Sequence, residues 1–472
     1  LRRIFDNVRY YTGEGREKEG FSNSLRRSQL HLVIAYERLK NTISEVERTG
    51  WAQLLTQTGE DMLAHFDHLK ERVPALDNRG FGTGINHVAV AAEGIYKSGM
   101  ALNRKDWQDA VGAFNDRLMA YGHPDGYFEE HTNDAREGGP SLVYTPLTAG
   151  CAHLIQIWSD QGDRTRFEKC GTFFRSFMVT HLKTMAFADE RANPHCLGGY
   201  GIAIHALSPQ GRGLLRHHLK AVNFEQMSLE YLARLHLEID HMETGEGAVP
   251  EPFLDMRYRI TMPLGVVHSH DWTMGLSAMK ALSREMAPKS DYALDRQTLL
   301  FLSHTTAGTL ISGTKSKHDP DWSTVRHGDD AYPLRTGELD IQADQATAVV
   351  HYETFSVTVT WIFGDEPRLV FTIDCPDRLT TQLVLEAPIG TSFVLDDNMS
   401  VTFGEEPSVL EGIKKVATQH WAIVADKSSR LTWYVAPFNP YSEGNKSAPN
   451  TRRPVLATDW TERLEFKFLA KS

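Results

Sequence analysis

The chain has 472 residues, with 50 Lys and Arg against 61 Asp and Glu for a formal net charge of −11, and 41% of it is apolar. That composition excludes disorder as the default and, at roughly 100–200 residues per domain, provides for two or three domains. No run of about 18 apolar residues predicts a membrane span, and no basic block predicts a nucleic-acid partner.

From residue 27 to 240 the apolar residues follow the helical period. Leu32, Ala35, Tyr36, Leu39, Ile43 and Val46 fall on one helix face. Similar stripes predict helices over 51–69, 88–102, 107–121, 146–158, 166–185 and 219–237. The turns between them carry Gly and Pro, as at Gly122, Pro124, Gly126 and Pro140. After about Asp255 the period becomes two. Residues 348–361 are the clearest strand, with Val357, Val359 and Trp361 on one face. Further strands are predicted at 369–373, 381–385, 392–395, 421–425, 431–435 and 464–469. Strands in succession without intervening helices predict an antiparallel β-sandwich. The Gly, Pro and Glu residues of 245–252 suit a linker, dividing the chain into a helical domain, 1–250, and a β-sandwich domain, 251–472. Successive helix pairs predict a solenoid or a closed (α/α) toroid. Cys151, Cys170, Cys196 and Cys375 have neither metal-site nor framework spacing, and read as buried thiols or as thiols with one pair bridged.

Three Gly-rich loops between helices concentrate polar, titratable side chains, which is where a rigid scaffold usually carries chemistry. The first ends in Asn86 and His87 just before a helix, where free N–H groups favour an anion; Asn86 can equally be the helix cap. The second runs from Asp125 through Glu129, Glu130, His131 and Arg136 to Tyr144, Thr145 and Pro146. Thr145 as cap and Pro146 in the first turn place Tyr144 at a helix mouth, where the dipole and Arg136 favour phenolate. The alternative is an aromatic packed between helices. The third loop carries Asp189, Glu190, Arg191 and His195, and reads either as a cleft wall or as ordinary surface. In the β-half, His268 and His270 share a face if they lie on one strand, and Asp271 follows; two His at that spacing are too little for a catalytic metal. Gly82 and Gly84 lack the third glycine and the preceding strand of a dinucleotide site.

A helical half followed by an all-β half, with Asn86 and His87 in one loop and Asp125-Gly126-Tyr127-Phe128-Glu129 leading to Tyr144 in another, resembles the polysaccharide lyases of the (α/α) toroid plus β-sandwich type. These are the relatives of alginate lyase, heparinase II/III and the chondroitin and hyaluronate lyases. In them an Asn, often adjoining a His, precedes the loop that carries the catalytic Tyr; here 58 residues separate Asn86 from Tyr144 and 57 separate His87 from it. Residues 262–268 and 272–277 resemble the first strand pair of their sandwich.

The resemblance implies β-elimination on a uronic-acid-containing polysaccharide, without cofactor or catalytic metal, by a secreted or periplasmic enzyme. Removing the proton at C5 of a uronate requires its carboxylate to be neutralised, and by resemblance Asn86 does this, with Arg136 or Arg191 assisting. Tyr144 is then the acid, or both acid and base. His87 or His131 is the base or a second neutraliser, and His195 and His268 follow as candidates. Glu129, Arg136, Arg191, His268 and Trp272 are candidates for substrate contact. Two rival readings are open: a glycoside hydrolase on an (α/α) barrel using Asp125 with Glu129 or Glu130, and a non-catalytic glycan-binding protein.

Overall fold

The computed structural model describes residues 23–71, 85–129, 139–188, 199–222, 225, 227, 229–280, 299–312, 323–328, 330–331, 334–375, 377–396, 398–404, 406–434 and 452–471. The chain forms two compact units, Leu1–Phe173 with Leu197–Ala248, and Phe174–Cys196 with Val249–Ser472. The described part of the first is helical and that of the second consists mainly of antiparallel strands. No described helix is long and apolar enough to cross a membrane.

The helices of the first unit are α1 (Asn23–Leu39), α2 (Glu45–Glu71), α3 (Ile85–Ala101), α4 (Lys105–Tyr121), α5 (Tyr144–Ser159), α6 (Arg164–Ser176, within which the division falls), α7 (Ile202–Ala206), α8 (Pro209–Ala221) and α9 (Leu229–Ile239). The stripe that begins at Leu32 does not continue to Val46. Ser44 Oγ accepts from the Glu47 N–H at 3.3 Å and the Glu47 carboxylate accepts from the Ser44 N–H at 3.2 Å. This reciprocal capping box starts a new helix and leaves Val46 83% exposed. Leu30, Val33 and Tyr36 then pack on Trp51, Leu54 and Leu55.

Two further helix expectations are corrected. The predicted helix over 166–185 ends at Ser176, because 177–185 folds into a tight turn closed by Val179 and Lys183, with Leu182 at φ +62°. The predicted helix over 219–237 is the end of α8 and most of α9. In the first case the apolar residues are buried, but by more than one element; in the second Leu235 is buried while Leu219 is exposed.

α3 is the central helix of its unit: Val88, Ala89, Ala92, Ile95 and Tyr96 are all buried, and it packs on α1, α2, α4 and α5. Its direction relative to α5 follows from two levels of contact. Glu93 of α3 lies beside Cys151 of α5. Further along both helices Tyr96 stacks on Trp158 with ring centroids 6.3 Å apart, and Lys97 Nζ sits 5.1 Å from the Trp158 ring. Later residues of one helix thus meet later residues of the other, so α3 and α5 run parallel.

In the second unit β1 (Met256–Arg259), β2 (Leu264–Ser269), β3 (Trp272–Ser277), β4 (Leu300–His304) and β5 (Gly308–Ile311) form an antiparallel meander. A second antiparallel sheet holds thirteen strands among the residues described after Ser323. The predicted strand over 348–361 is a hairpin, Gln345–His351 paired with Ser356–Ile362, because Tyr352 N–H bonds the Phe355 carbonyl at 2.9 Å and closes a turn. Val357, Val359 and Trp361 do share one buried face. The two sheets share one core, in which the Trp361 indole donates to the Gly275 carbonyl at 3.1 Å.

β2 and β3 are buried on both faces. One faces the larger sheet through Val267, Met274 and Leu276; the other meets Phe187, whose ring a Cβ on Gly275 would strike at 2.4 Å. This explains why Phe174–Cys196 belongs with the strands: Phe187 covers that face and stacks on Phe301, Phe177 packs edge-on against Phe187 and Tyr258, and Arg175 forms a buried ion pair with Glu251 at 2.7 Å.

Candidate active site

Asn86 lies inside the first turn of α3, not at its cap. It is only 2% exposed, and its Oδ1 has no hydrogen-bond partner among the described residues. A buried amide with an unspent position is costly in a folded protein. A half-turn of the carboxamide exchanges Oδ1 and Nδ2, so the same position can offer either an acceptor or a donor. His87 follows it, half-buried.

Tyr144 opens α5. The expected capping by Thr145 is replaced by Ser141, whose Oγ accepts from the Tyr144 N–H at 3.2 Å while its carbonyl accepts from Thr145 N–H at 2.9 Å. Thr145 instead bonds both Phe128 N–H, at 3.1 Å, and the Phe128 carbonyl, at 3.3 Å. With the antiparallel bridge between Glu129 and Pro140, this ties the stretch before Glu129 to the start of α5. Within that stretch His123 stacks on Tyr127 with centroids 4.3 Å apart and pairs with Asp125 at 3.3 Å. Gly126 has φ +94°, and a Cβ there would stand 2.5 Å from the Lys169 carbonyl. A Gly126→Ala variant is therefore expected to lose on the order of 2 kcal/mol or more in chemical denaturation; an unchanged midpoint would show that this turn relaxes freely.

The parallel packing of α3 and α5 brings the two candidates together. Asn86 precedes Glu93 by seven residues and Tyr144 precedes Cys151 by seven, so both stand about 10 Å above the level where those helices touch, at the same end. Glu129 is buried beside the same helix start. His131, Arg136, Arg191 and His195 lie outside the described residues.

His268 and Trp272 belong to the strand unit and are engaged within it. His268 Nε2 meets the Ser176 carbonyl at 3.1 Å, which makes Nε2 the protonated nitrogen, and Nδ1 accepts from the Thr273 hydroxyl at 3.0 Å. The Trp272 ring is 1% exposed and its N–H donates to the Asp365 carbonyl at 3.0 Å, so it offers no face to a sugar in this structure. His270 does not share a strand face with His268: His270 and Asp271, at φ +52° and +65°, form the two-residue turn between β2 and β3. Among the described residues no three metal-ligating side chains converge.

Burial pushes two histidines down to about 4 from the ordinary 6.5, His268 in the strand unit and His153 on α5. A histidine that binds its proton more weakly when folded contributes stability fully present above pH 6.5 and lost as pH falls toward 4, here about 3 kcal/mol for each. Urea denaturation at neutral pH and at about pH 4.5 checks this; a stability flat across that window would contradict it.

The sequence did not single out a buried ion network below this end of the helices. Arg234 of α9 donates to both carboxylate oxygens of Glu93, at 2.6 Å each, and to Glu238 at 2.9 Å. Glu238 in turn accepts from the N–H groups of Gly201 and Ala203, at 2.8 and 2.9 Å, capping α7. One signal was available: Glu93 interrupts an otherwise apolar helix, and Arg234 and Glu238 are spaced by four within an apolar stripe.

No protein-family profile matches the chain, and no curated protein matches it in sequence. Solved structures do match. Heparinase III aligns over 98% of this chain and 69% of its own with a TM-score of 0.57 at 10% identity. A heparan sulfate lyase mutant from Pedobacter heparinus aligns over 99% and 72% with a TM-score of 0.55 at 11% identity. Chondroitin AC lyase from Streptomyces coelicolor aligns over 94% and 66% with a TM-score of 0.52 at 12% identity. The chain therefore shares the fold of polysaccharide lyases.

Proposed function

We propose that this protein is a polysaccharide lyase that cleaves a uronic-acid-containing polysaccharide by β-elimination, with its helical unit a closed (α/α) toroid and its strand unit a β-sandwich. The observation that carries the reading is the placement of Asn86, with its unspent buried amide, and Tyr144 at the same end of two parallel, packed helices. Two groups are needed there. As the C5 proton of the uronate leaves, charge develops on the adjoining carboxylate; the Asn86 amide, turned to present Nδ2, donates to it where a preorganised donor is worth most. The electron pair of the C5–H bond becomes the C4–C5 double bond, the C4–O4 bond breaks, and the Tyr144 phenol protonates O4.

His87, next to Asn86, is the described candidate for base or second neutraliser; where Tyr144 acts as both acid and base, His87 serves the carboxylate. His131 and His195 are further candidates for that step, and Glu129, Arg136 and Arg191 for substrate contact. No cofactor enters this scheme. An acidic polysaccharide is met outside the cytoplasm, which suits a secreted or periplasmic enzyme.

The test is ultraviolet absorbance from unsaturated uronate ends across alginate, glucuronan, hyaluronan, chondroitin, heparan and ulvan, with reducing ends followed in parallel. Absorbance rising with reducing ends on one of these is the expected result. Reducing ends without absorbance would replace this reading with hydrolysis by Asp125 and Glu129, and binding without either product would leave a glycan-binding protein.

A further inference from the structure

The Arg234 network has more structure than a stabilising ion pair requires. Arg234 and its two carboxylate partners are fully buried, and Arg234 Nη2 has no hydrogen-bond partner among the described residues. Burying three charges and leaving a guanidinium nitrogen unsatisfied is poor value for stability, since well-packed apolar residues often do as well or better. Such a cluster is better suited to fixing geometry. Its connections run between the helices that carry Asn86 and Tyr144. Glu93 anchors α3 to Arg234. Arg234 holds Glu238, and Glu238 holds the backbone at Gly201 and Ala203. That backbone lies directly against α5, where a Cβ on Gly150 would come within 2.7 Å of Gly201 N. The Arg234 guanidinium also lies 4.3 Å from the Tyr200 ring centroid, which covers it. The linkage meets α3 and α5 at the level of Glu93 and Gly150, about two turns below Asn86 and Tyr144.

We infer that Arg234, with Glu93 and Glu238, is the positioning device for the Asn86 and Tyr144 pair, locking the axial register of α3 against α5. This rests on the elimination reading for its catalytic consequence, though not for the mechanical linkage itself. Neither Arg234 nor its partners touch substrate; they act by holding two helix starts at a fixed offset, where an error of about 1 Å costs on the order of 100-fold in rate.

The test uses the full chain with Glu93→Gln, which keeps the side chain's shape and removes its charge, and Arg234→Lys, which keeps the charge and loses the fork. Amide hydrogen exchange reads the linkage without any substrate. Expected is a joint loss of protection in the first turns of α3 and α5 in both variants. Kinetically, kcat for elimination should fall roughly 10- to 100-fold with KM nearly unchanged, and adding Glu93→Gln to Tyr144→Phe should cost little more than Tyr144→Phe alone. Loss of protection confined to α3 overturns the linkage. Joint loss of protection with unchanged kcat, or effects that multiply in the double variant, overturns the positioning role. Should the wild type turn over none of the glycans, the elimination reading fails, while the exchange data still decide whether the network couples the two helices.

Discussion

Replacing Tyr144 by Phe should abolish elimination, lowering kcat by roughly 10²–10⁴-fold, while the protein folds as before. The phenol oxygen is the only atom removed. The ring remains half-buried at the start of α5, and the Tyr144 backbone N–H to Ser141 and Thr145 to Phe128 also hold that start. A loss of rate without a loss of stability therefore reports on proton transfer. If absorbance continues at an undiminished rate in the variant, Tyr144 is not the acid.

Asn86→Leu should lower kcat by roughly 10²–10³-fold, the usual consequence of removing one preorganised donor at a developing charge. Its effect on stability should have the opposite sign. Leu has the branching and the number of side-chain heavy atoms of Asn, with bulkier methyl groups, and Asn86 Oδ1 is buried without a partner among the described residues, so exchanging the amide for an apolar group removes a desolvation cost on the order of 1 kcal/mol or more. Thermal denaturation beside kcat separates the two effects. A variant that is both less active and less stable would place Asn86 in the architecture of α3, not in the chemistry.

Much of this organisation was legible because periodicity survives in a single sequence. The change from a period of 3.6 to one of two near Asp255 marks the helical and strand halves, and most predicted strands fall within one or two residues of observed ones. Most failures came where one apolar run serves two elements; the reverse holds for 421–425 and 431–435, which belong to one strand, Trp421–Tyr434. Residues 348–361 alternate on both sides of a turn, the buried set changing from even to odd positions across Glu353 and Thr354, and 166–185 keeps its burial after the helix has ended, because Phe177 and Met185 are covered by other parts of the fold. The condition for His268 and His270 to share a face, that both lie on one strand, is not met: His270 and Asp271 form a two-residue turn with both φ values positive, and neither His nor Asp announces such a turn as Asn-Gly does.

At the site, Asn86 and Tyr144 could be singled out from loop chemistry and resemblance, but not brought together. Their common end depends on α3 and α5 running parallel, which is known only from contacts such as Tyr96 with Trp158. The network beneath them was harder still. Glu93 and Arg234 are 141 residues apart, and no local pattern links a lone acid in one helix to a lone base in another. Trp272, a candidate for substrate contact by resemblance, has its ring in the core of the strand unit.

The central claim is that the glycosidic bond breaks by elimination and not by addition of water. Digestion in heavy-oxygen water, followed by mass spectrometry of the oligosaccharides, tests it most directly. Elimination produces a new non-reducing end lighter by one water than a hydrolytic product, carrying a C4–C5 double bond, and leaves O4 on the anomeric carbon of the departing sugar, which becomes the new reducing end; no solvent oxygen enters across the cleaved bond. That unlabelled, dehydrated product is the predicted result. Full-mass products carrying one solvent oxygen per cleavage would contradict it.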